Sequence, residues 1–541
     1  MLFETIEIKG KLNIRGFCID AKKYSEQIIN KIKEYFTVKN TSNENNIVTY
    51  YLYKEHKKYL IIPKFYANKN IDITLIIIDN NKIDNLKFIC KKCDYKSKKI
   101  DISFDGKLRD YQQQCINHIL NLFNSCINSP MGGLLKFSCG MGKTMTAIYL
   151  SHILKEKTLI VVGSTSLLDQ WVERYKENSN AEIGIIQQNK FEIDKDICIA
   201  TAQTINSRDY DADCFKEFGL VIYDEVHHFG SVTFSNVLMK TSAKYTIGLS
   251  ATPVREDDMM YVVNWFIGDI IYELKKKFDY RILVKRIYFN SENILFKEKL
   301  KRYNGKMTPD SVKMLGNLTK HNIRNNIIIN IIDVLKCKGR KIFVFSDRVE
   351  HLKILKEATD SIINSKNENH MYKTNYFIGK CKKMERVEAS KYGDIIFATL
   401  KIAEEGIDIS RLDTVIYALP IKQEKRLEQS SGRILRLEKY EDLINIPLVI
   451  DISDQLSLFS KWSNYREEYY TKENWFVQNY YFNDNNYFYQ KNENQNEDPF
   501  KLIFNNIDDE KFIEENLIGC KNNEIIEKKE IDVMDLLYPK K

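Results

Sequence analysis

The sequence predicts an α/β protein: two tandem parallel-sheet domains, an α+β extension before them and a mostly helical extension after them. Three observations predict this. Short apolar or β-branched runs alternate with helical or loop segments over 133–249, and a second alternating set follows from about 280 to 452, the pattern of parallel strands joined by crossover helices. A glycine turn between strand and helix opens the first set. Composition then shifts at about 456 toward aromatic residues set among Asn, Lys and Glu. The expected domains are 1–105, 106–280, 281–456 and 457–541.

Residues 1–105 mix strand-like runs, Leu60–Pro63 and Ile71–Ile78, with Lys- and Asn-rich turns. Cys90 and Cys93 have zinc-knuckle spacing, and Cys115 and His118 are the residues nearest to completing a site. Both lie on a predicted helix, Tyr111–Phe123, where burial is their commoner use. Leu108-Arg109-Asp110-Tyr111-Gln112 opens that helix; the Gln112 amide presents donors and acceptors suited to an adenine edge.

The first set is organised around Lys136–Leu150. Gly133–Phe137 reads as a buried strand and Lys143–Leu154 as a helix with Ala147, Leu150 and Leu154 on one face. Between them run Ser138, Cys139, Gly140, Met141, Gly142, Lys143 and Thr144. Glycines let backbone N–H groups converge on phosphate oxygens at a helix N-terminus. Lys143 is placed to reach the β- and γ-phosphates of ATP, and the Thr144 hydroxyl to hold Mg²⁺. Phe137 stands where the usual formula has its first glycine.

Strands are expected at Thr158–Val162, Ile197–Ala200, Leu220–Tyr223 and Thr246–Leu249. The third ends in Asp224-Glu225, an acidic pair suited to binding Mg²⁺ through Asp224 and orienting the attacking water through Glu225. The second set has strands at Ile342–Phe345, Tyr376–Ile378, Asp394–Ala398, Thr414–Leu419 and Leu448–Ile452, and no second glycine turn of this kind. It offers Arg433 and Arg436, one helical turn apart, whose planar forks suit the spreading charge of a γ-phosphate in transfer. The aromatics from Trp462 to Tyr489 read first as an apolar stripe packed on the second sheet, and second as base-stacking groups. Glu527-Lys528-Lys529 with Asp508 faintly resembles a nuclease pattern.

Lys and Arg exceed Asp and Glu by 82 − 74 = 8, a mildly basic balance that permits a polyanionic partner. With 43% hydrophobic and 29% charged residues the composition is globular. No apolar run approaches a membrane span, and Met1–Gly10 lacks a signal-peptide core. The eleven scattered cysteines suit a reducing compartment. A soluble intracellular protein without a membrane partner is expected. The excess of Asn, Ile, Lys, Tyr and Phe reflects AT-rich codons.

Taken in order over residues 105–460, these segments resemble the superfamily 2 helicases. LRDYQ (108–112) is similar to the adenine-reading segment, SCGMGKT (138–144) to motif I, and LIVVGSTSLLDQW (159–171) to motif Ia. IATAQTI (199–205) matches the next strand-contacting motif, YDEVHH (223–228) motif II, and LSATP (249–253) motif III. FVFSDRVEHL (343–352), ATLKIAEEGIDIS (398–410) and QSSGRILR (429–436) resemble motifs IV, V and VI. GLSATPVREDD (248–258) with IGDIIYE (267–273) resembles the XPB-type repair and transcription helicases. HNIRNNIIINII (321–332) resembles the transcript-release helicases of poxviruses and other large DNA viruses. Gly163-Ser164 stands for the usual Pro-Thr of motif Ia, and Ser430 for a basic residue of motif VI.

The resemblance implies two RecA-like domains, ATP with Mg²⁺ as cofactors, and DNA as partner, translocated 3′→5′ with little sequence preference. The transcription machinery is a further partner it suggests, and the cytoplasm, nucleus, viral factory or virion the location. It assigns catalysis to Lys143, Asp224, Glu225, Gln429, Arg433 and Arg436, and nucleotide contacts also to Gly406 and Asp408. Ser250, Thr252 and Glu405 would couple nucleotide to nucleic acid, and Arg255, Glu256 and Asp257 would serve unwinding. Thr201, Gln203 and Thr399 are candidate phosphate-backbone contacts. A nuclease-coupled translocase, an RNA-directed helicase and a non-catalytic scaffold are the competing readings.

Overall fold

The computed structural model describes residues 4–13, 16–40, 48–65, 84–125, 130–138, 141–210, 213–226, 232–251, 259–277, 282–303, 305–366, 372–379, 381, 383–400, 412–422, 427, 447–482 and 525–530. The chain divides into two compact units, residues 1–276 with 526–541, and residues 277–525.

The first unit opens with β1 (Glu4–Asn13), β2 (Gly16–Asp20), helix α1 (Glu26–Tyr35), the hairpin β3 (Thr37–Asn40) and β4 (Val48–Tyr51), then β5 (Lys54–His56), β6 (Tyr59–Ile62) and β7 (Asp84–Asp94). β5-β6-β2-β1-β7 form one sheet, with β1 and β7 parallel and the other pairs antiparallel. Ser25 starts α1 by accepting a hydrogen bond from the Ile28 N–H. Ile8, Phe17, Ile19, Ile32 and Phe36 form the core of this sheet together with Met259 and Val262, residues from the far end of the unit. The N-terminal sheet therefore shares a core with residues of the segment 259–266. The expected strand Ile71–Ile78 lies outside the described residues.

The larger sheet takes β8 (Met131–Phe137), β9 (Thr158–Val162), β10 (Ile183–Gln187), β11 (Lys190–Phe191), β12 (Ile197–Thr201), β13 (Leu220–Asp224), β14 (Tyr245–Ser250) and β15 (Ile270–Lys277). Its order is β11-β10-β12-β9-β13-β14-β8-β15, extended at the β15 edge by Ile525–Glu530. β10, β12, β9, β13, β14, β8 and β15 run parallel. The crossovers include α2 (Asp110–Ser125), α3 (Lys143–Leu154), α4 (Thr165–Asn178), α5 (Ala202–Ser207), α6 (Val232–Lys240) and α7 (Met260–Ile267). β9, β12 and β13 are buried at every residue, as a sheet covered on both faces requires.

The second unit holds β16 (Leu283–Phe289), the hairpin β17 (Leu300–Tyr303) and β18 (Lys306–Pro309), α8 (Ser311–Leu318), α9 (Asn322–Cys337), β19 (Ile342–Phe345), α10 (Val349–Ser365), β20 (Thr374–Phe377), α11 (Lys383–Tyr392), β21 (Ile395–Ala398), β22 (Thr414–Tyr417), β23 (Leu448–Asp454) and β24 (Phe476–Phe482). Its parallel sheet runs β20-β21-β19-β22-β23-β16-β24. Residues past 456 belong to this body: the helix Leu458–Lys472 buries Phe459, Tyr469 and Tyr470, and β24 buries Tyr480 and Phe482. The packing reading holds for Tyr469, Tyr470, Tyr480 and Phe482 but not for Tyr465, which is exposed, and part of the segment is a strand of the sheet; Tyr487, Phe488 and Tyr489 lie outside the described residues. Arg324 forks onto Asp454 at 2.6 and 2.8 Å and also donates to the Ala418 carbonyl, and all of this is buried. Arg466 pairs with Asp451 in the same manner, joined by the Tyr470 hydroxyl. Such charges persist inside only when matched, since removing one partner strands the other in a low dielectric.

Candidate active site

In the first unit, β8, β14 and β13 are neighbours, and their registers align Asp224 with Leu249 and Ser250 with Lys136. The C-terminal ends that lead into the glycine turn, the LSATP segment and the acidic pair therefore lie side by side on one edge of the sheet, where open α/β sheets bind ligands.

The turn begins at Phe137, the last residue of β8, fully buried in the core. A side chain at 137 points into the sheet's packing, so this position does not need the usual glycine. The Ser138 N–H donates to the Leu274 carbonyl, holding the exit of β8 against β15. Cys139 and Gly140 lie outside the described residues. Met141 is buried, and Gly142 caps α3 at φ +74°. A Cβ there would lie 2.3 Å from Gln112 Nε2, so both backbone and neighbour demand glycine. Thr144 follows in the first turn of α3, partly exposed. That first turn has no acidic residue, leaving the positive end of the helix to an anion.

Lys143 Nζ lies 3.3 Å from Glu225 Oε1. Asp224 is buried and accepts a hydrogen bond from Trp171 Nε1 at 2.8 Å and from the Glu225 N–H at 3.0 Å. Burial, and then the adjoining Glu225 carboxylate, push the Asp224 acid up to about 6, against Lys143 and the indole N–H, which favour its ionised form. Glu225 has φ +52°, a left-handed conformation that few non-glycine residues adopt. Two adjacent carboxylates, one of them in an apolar setting, with an ammonium in reach, form a donor set that a hard divalent cation would relieve. Mg²⁺ fits these residues.

The structure gives Gln112 a further task. Its Oε1 accepts from the Arg109 N–H at 2.8 Å, and its Nε2 donates to the Gly142 carbonyl at 3.0 Å and to Thr146 Oγ1 at 3.3 Å. The amide expected to meet adenine thus braces the glycine turn. Arg109 donates through Nη1 to the Tyr111 hydroxyl.

The residues expected to meet nucleic acid differ among themselves. Gln203 is exposed and donates to the Gly163 carbonyl at 2.7 Å, linking α5 to the end of β9. Thr201 turns inward: it is buried, with its hydroxyl 2.8 Å from that of Thr204, because it closes a fully buried strand. Ser250 is buried at the end of β14, and Thr399 is partly exposed just after β21. Thr252, Arg255, Glu256, Asp257, Glu405, Gly406, Asp408, Gln429, Arg433 and Arg436 lie outside the described residues. Trp171 was not anticipated as a site residue; its one signal is that a buried indole N–H needs an acceptor. Cys90 lies on β7 and Cys115 is buried within α2. Among the described residues no group of three His, Cys, Asp or Glu side chains is placed to hold a metal ion.

Residues 105–255 match the family described as "Type III restriction enzyme, res subunit", and residues 324–438 match "Helicase conserved C-terminal domain". A relative from Acanthamoeba polyphaga mimivirus, provisionally named ATP-dependent RNA helicase L396, is 32% identical over 484 residues, covering 87% of each chain. The DNA 3′-5′ translocase XPB2 of Sulfurisphaera tokodaii is 30% identical over 253 residues, 46% of this chain and 51% of its own. The fragment structure of a provisionally assigned HsdR subunit of a type I restriction enzyme from Vibrio vulnificus YJ016 covers 70% of each chain at a TM-score of 0.50 and 18% identity, a likeness of fold alone. With its parallel sheets and these relatives, the chain belongs to the superfamily 2 helicases, ATP-dependent enzymes, in the group of XPB-type and large-DNA-virus members.

Proposed function

We propose that the chain is an ATP- and Mg²⁺-dependent motor that translocates 3′→5′ on DNA and separates its strands, in transcription, replication or repair of a viral type of genome. The observation that carries this reading is the Lys143–Glu225–Asp224 constellation at the shared edge of β8, β14 and β13.

Phosphoryl transfer to water needs positioning and charge stabilisation more than covalent help. The α3 N-terminus and Lys143 bind the phosphate oxygens. Asp224, with Thr144, would hold Mg²⁺, which when bound neutralises charge on the phosphates. The indole of Trp171 fixes the Asp224 carboxylate from behind. Glu225 orients the attacking water, released from Lys143 when phosphate takes the ammonium. The Gln112 brace ties the turn to α2, so nucleotide binding at the turn would be felt at Arg109 and Tyr111.

Lys143→Ala should abolish ATP turnover by removing a phosphate contact, with the fold retained. Glu225→Gln should keep ATP binding and lose hydrolysis, and parent-level hydrolysis by it would refute the role of the acidic pair. The name of the mimivirus relative favours a second reading, an RNA-directed motor. ATPase stimulation by DNA and RNA of matched length and mixed sequence separates the two; equal or stronger stimulation by RNA overturns the choice of DNA.

A further inference from the structure

Between β16 and α8 the second unit extends a ribbon into solvent. Its base is fixed on both sides. Phe296 is buried, its ring 5.2 Å from that of Phe289 and 6.1 Å from that of His321. Asp310 donates its N–H to the Lys299 carbonyl at 2.6 Å, and its carboxylate caps α8 by accepting from the Lys313 N–H. From this base β17 and β18 pair antiparallel, Leu300 with Pro309, Lys301 with Thr308, Arg302 with Met307 and Tyr303 with Lys306. Asn304-Gly305 separates the strands in sequence, with Gly305 at φ +76° and open space where a Cβ would stand, the turn chemistry of a two-residue hairpin loop.

Away from its base, where Thr308 and Pro309 are half-buried, the ribbon is exposed within the second unit. All four residues of β17 are exposed, and Leu300, Tyr303 and Met307 are 50%, 59% and 62% exposed. A lone two-stranded ribbon is marginal in water, and large apolar side chains at its tip add nothing to its own packing. The charge is one-sided: Lys297, Lys299, Lys301, Arg302 and Lys306 against Glu298 between residues 297 and 309. Glu298 already accepts a hydrogen bond from the Ser457 hydroxyl at the base. Cross-strand partners share a face, so the register puts Tyr303 between Lys301 and Lys306 on one side of the ribbon. An aromatic ring flanked by cations matches a base and its adjoining phosphates.

We propose that the hairpin Leu300–Pro309 is a contact for a single nucleic-acid strand, with a base stacked on Tyr303 and phosphates on Lys301 and Lys306. This rests on the chain's acting on nucleic acid, whichever of DNA or RNA it is.

The test uses the full chain, a mixed-sequence single-stranded oligonucleotide as DNA and as RNA, and the corresponding blunt duplex. Affinity is measured across a salt series, with ATPase measured in the presence and absence of each probe. Tyr303→Ala should weaken single-strand binding by about tenfold, within the range for removing one base–aromatic stack, while Tyr303→Phe stays at the parent value. Lys301→Ala with Lys306→Ala should reduce the log–log salt slope by about 1.4, at roughly 0.7 for each phosphate no longer neutralised. ATPase without nucleic acid should be unchanged in every variant, which also reports an intact fold. Unchanged affinity and slope in variants of a parent that binds would overturn the proposal, as would a loss confined to the blunt duplex or an effect on self-association alone. A parent that neither binds nor responds to either nucleic acid would overturn the underlying reading, and the hairpin's role with it.

Discussion

Lys64 offers a direct test of how the N-terminal sheet is held to the larger one. It is buried at the end of β6, with Nζ donating to the Ala243 carbonyl at 2.5 Å and to Thr246 Oγ1 at 2.6 Å, across to the start of β14. Next to it the Phe65 N–H donates to the Trp265 carbonyl. Burial pushes the ammonium down from 10.5 to about 7. Between those two values the unfolded chain binds a proton that the folded chain does not, so stability should rise with pH across this window and be lowest below it. At about 1.36 kcal/mol per unit, the span amounts to on the order of 4–5 kcal/mol. That is a ceiling, because both oxygen acceptors favour the charged form. Lys64→Met keeps the length of the side chain and removes its titration, leaving the two acceptors unsatisfied at a cost of about 1–3 kcal/mol each. Urea midpoints for parent and variant at pH 7, 8, 9 and 10 cancel the titrations the two share. The parent should gain on the variant steadily from pH 7 to 10. A constant difference would refute the argument and show that Lys64 titrates as it does in water.

Trp171→Phe retains the ring packing and removes the hydrogen bond to Asp224, worth about 1.5–3 kcal/mol to a charged acceptor; it should raise the Mg²⁺ concentration for half-maximal ATPase, more at pH 7 than at pH 8, and an unchanged Mg²⁺ requirement would reduce Trp171 to packing. Gly142→Ala must hold a positive φ and displace Gln112, so nucleotide affinity should fall tenfold or more with the circular dichroism spectrum retained. Combining it with Gln112→Ala should be non-additive, because the two changes act on one interaction. Arg433→Ala and Arg436→Ala should each lower kcat far more than they weaken ATP binding, as expected for groups acting on transition-state charge; weak binding with parent turnover would refute that assignment.

Much of the first unit was legible because its strands are continuous apolar runs with chemistry at their ends. Lys143–Leu154 and Thr158–Val162 fall where the pattern puts them, and β13 extends the expected strand by one residue to include Asp224. β16 was not legible. Lys285 and Arg286 interrupt its apolar run, yet both are buried. Arg286 meets Ser463 and Glu467, nearly two hundred residues away in sequence, and no local pattern can show that a distant partner will match a charge. The same limit hid β24, whose buried residues alternate as in a strand while its aromatics suit a helix stripe equally well. It also hid the link from Trp171 to Asp224, which joins residues 53 apart. What the sequence conceals here is consistently long-range pairing of polar groups. In each unit one such pair sits at a strand end: Asp224 closes β13, Asp454 closes β23, and each is buried and held by a side chain from a distant helix. The difference lies in the partner. Arg324 neutralises Asp454 by a direct fork within the fold, whereas the indole gives Asp224 a hydrogen bond and no charge; the cation that acts on Asp224 is Lys143, which in the proposed function turns to phosphate and leaves the carboxylate to a metal ion.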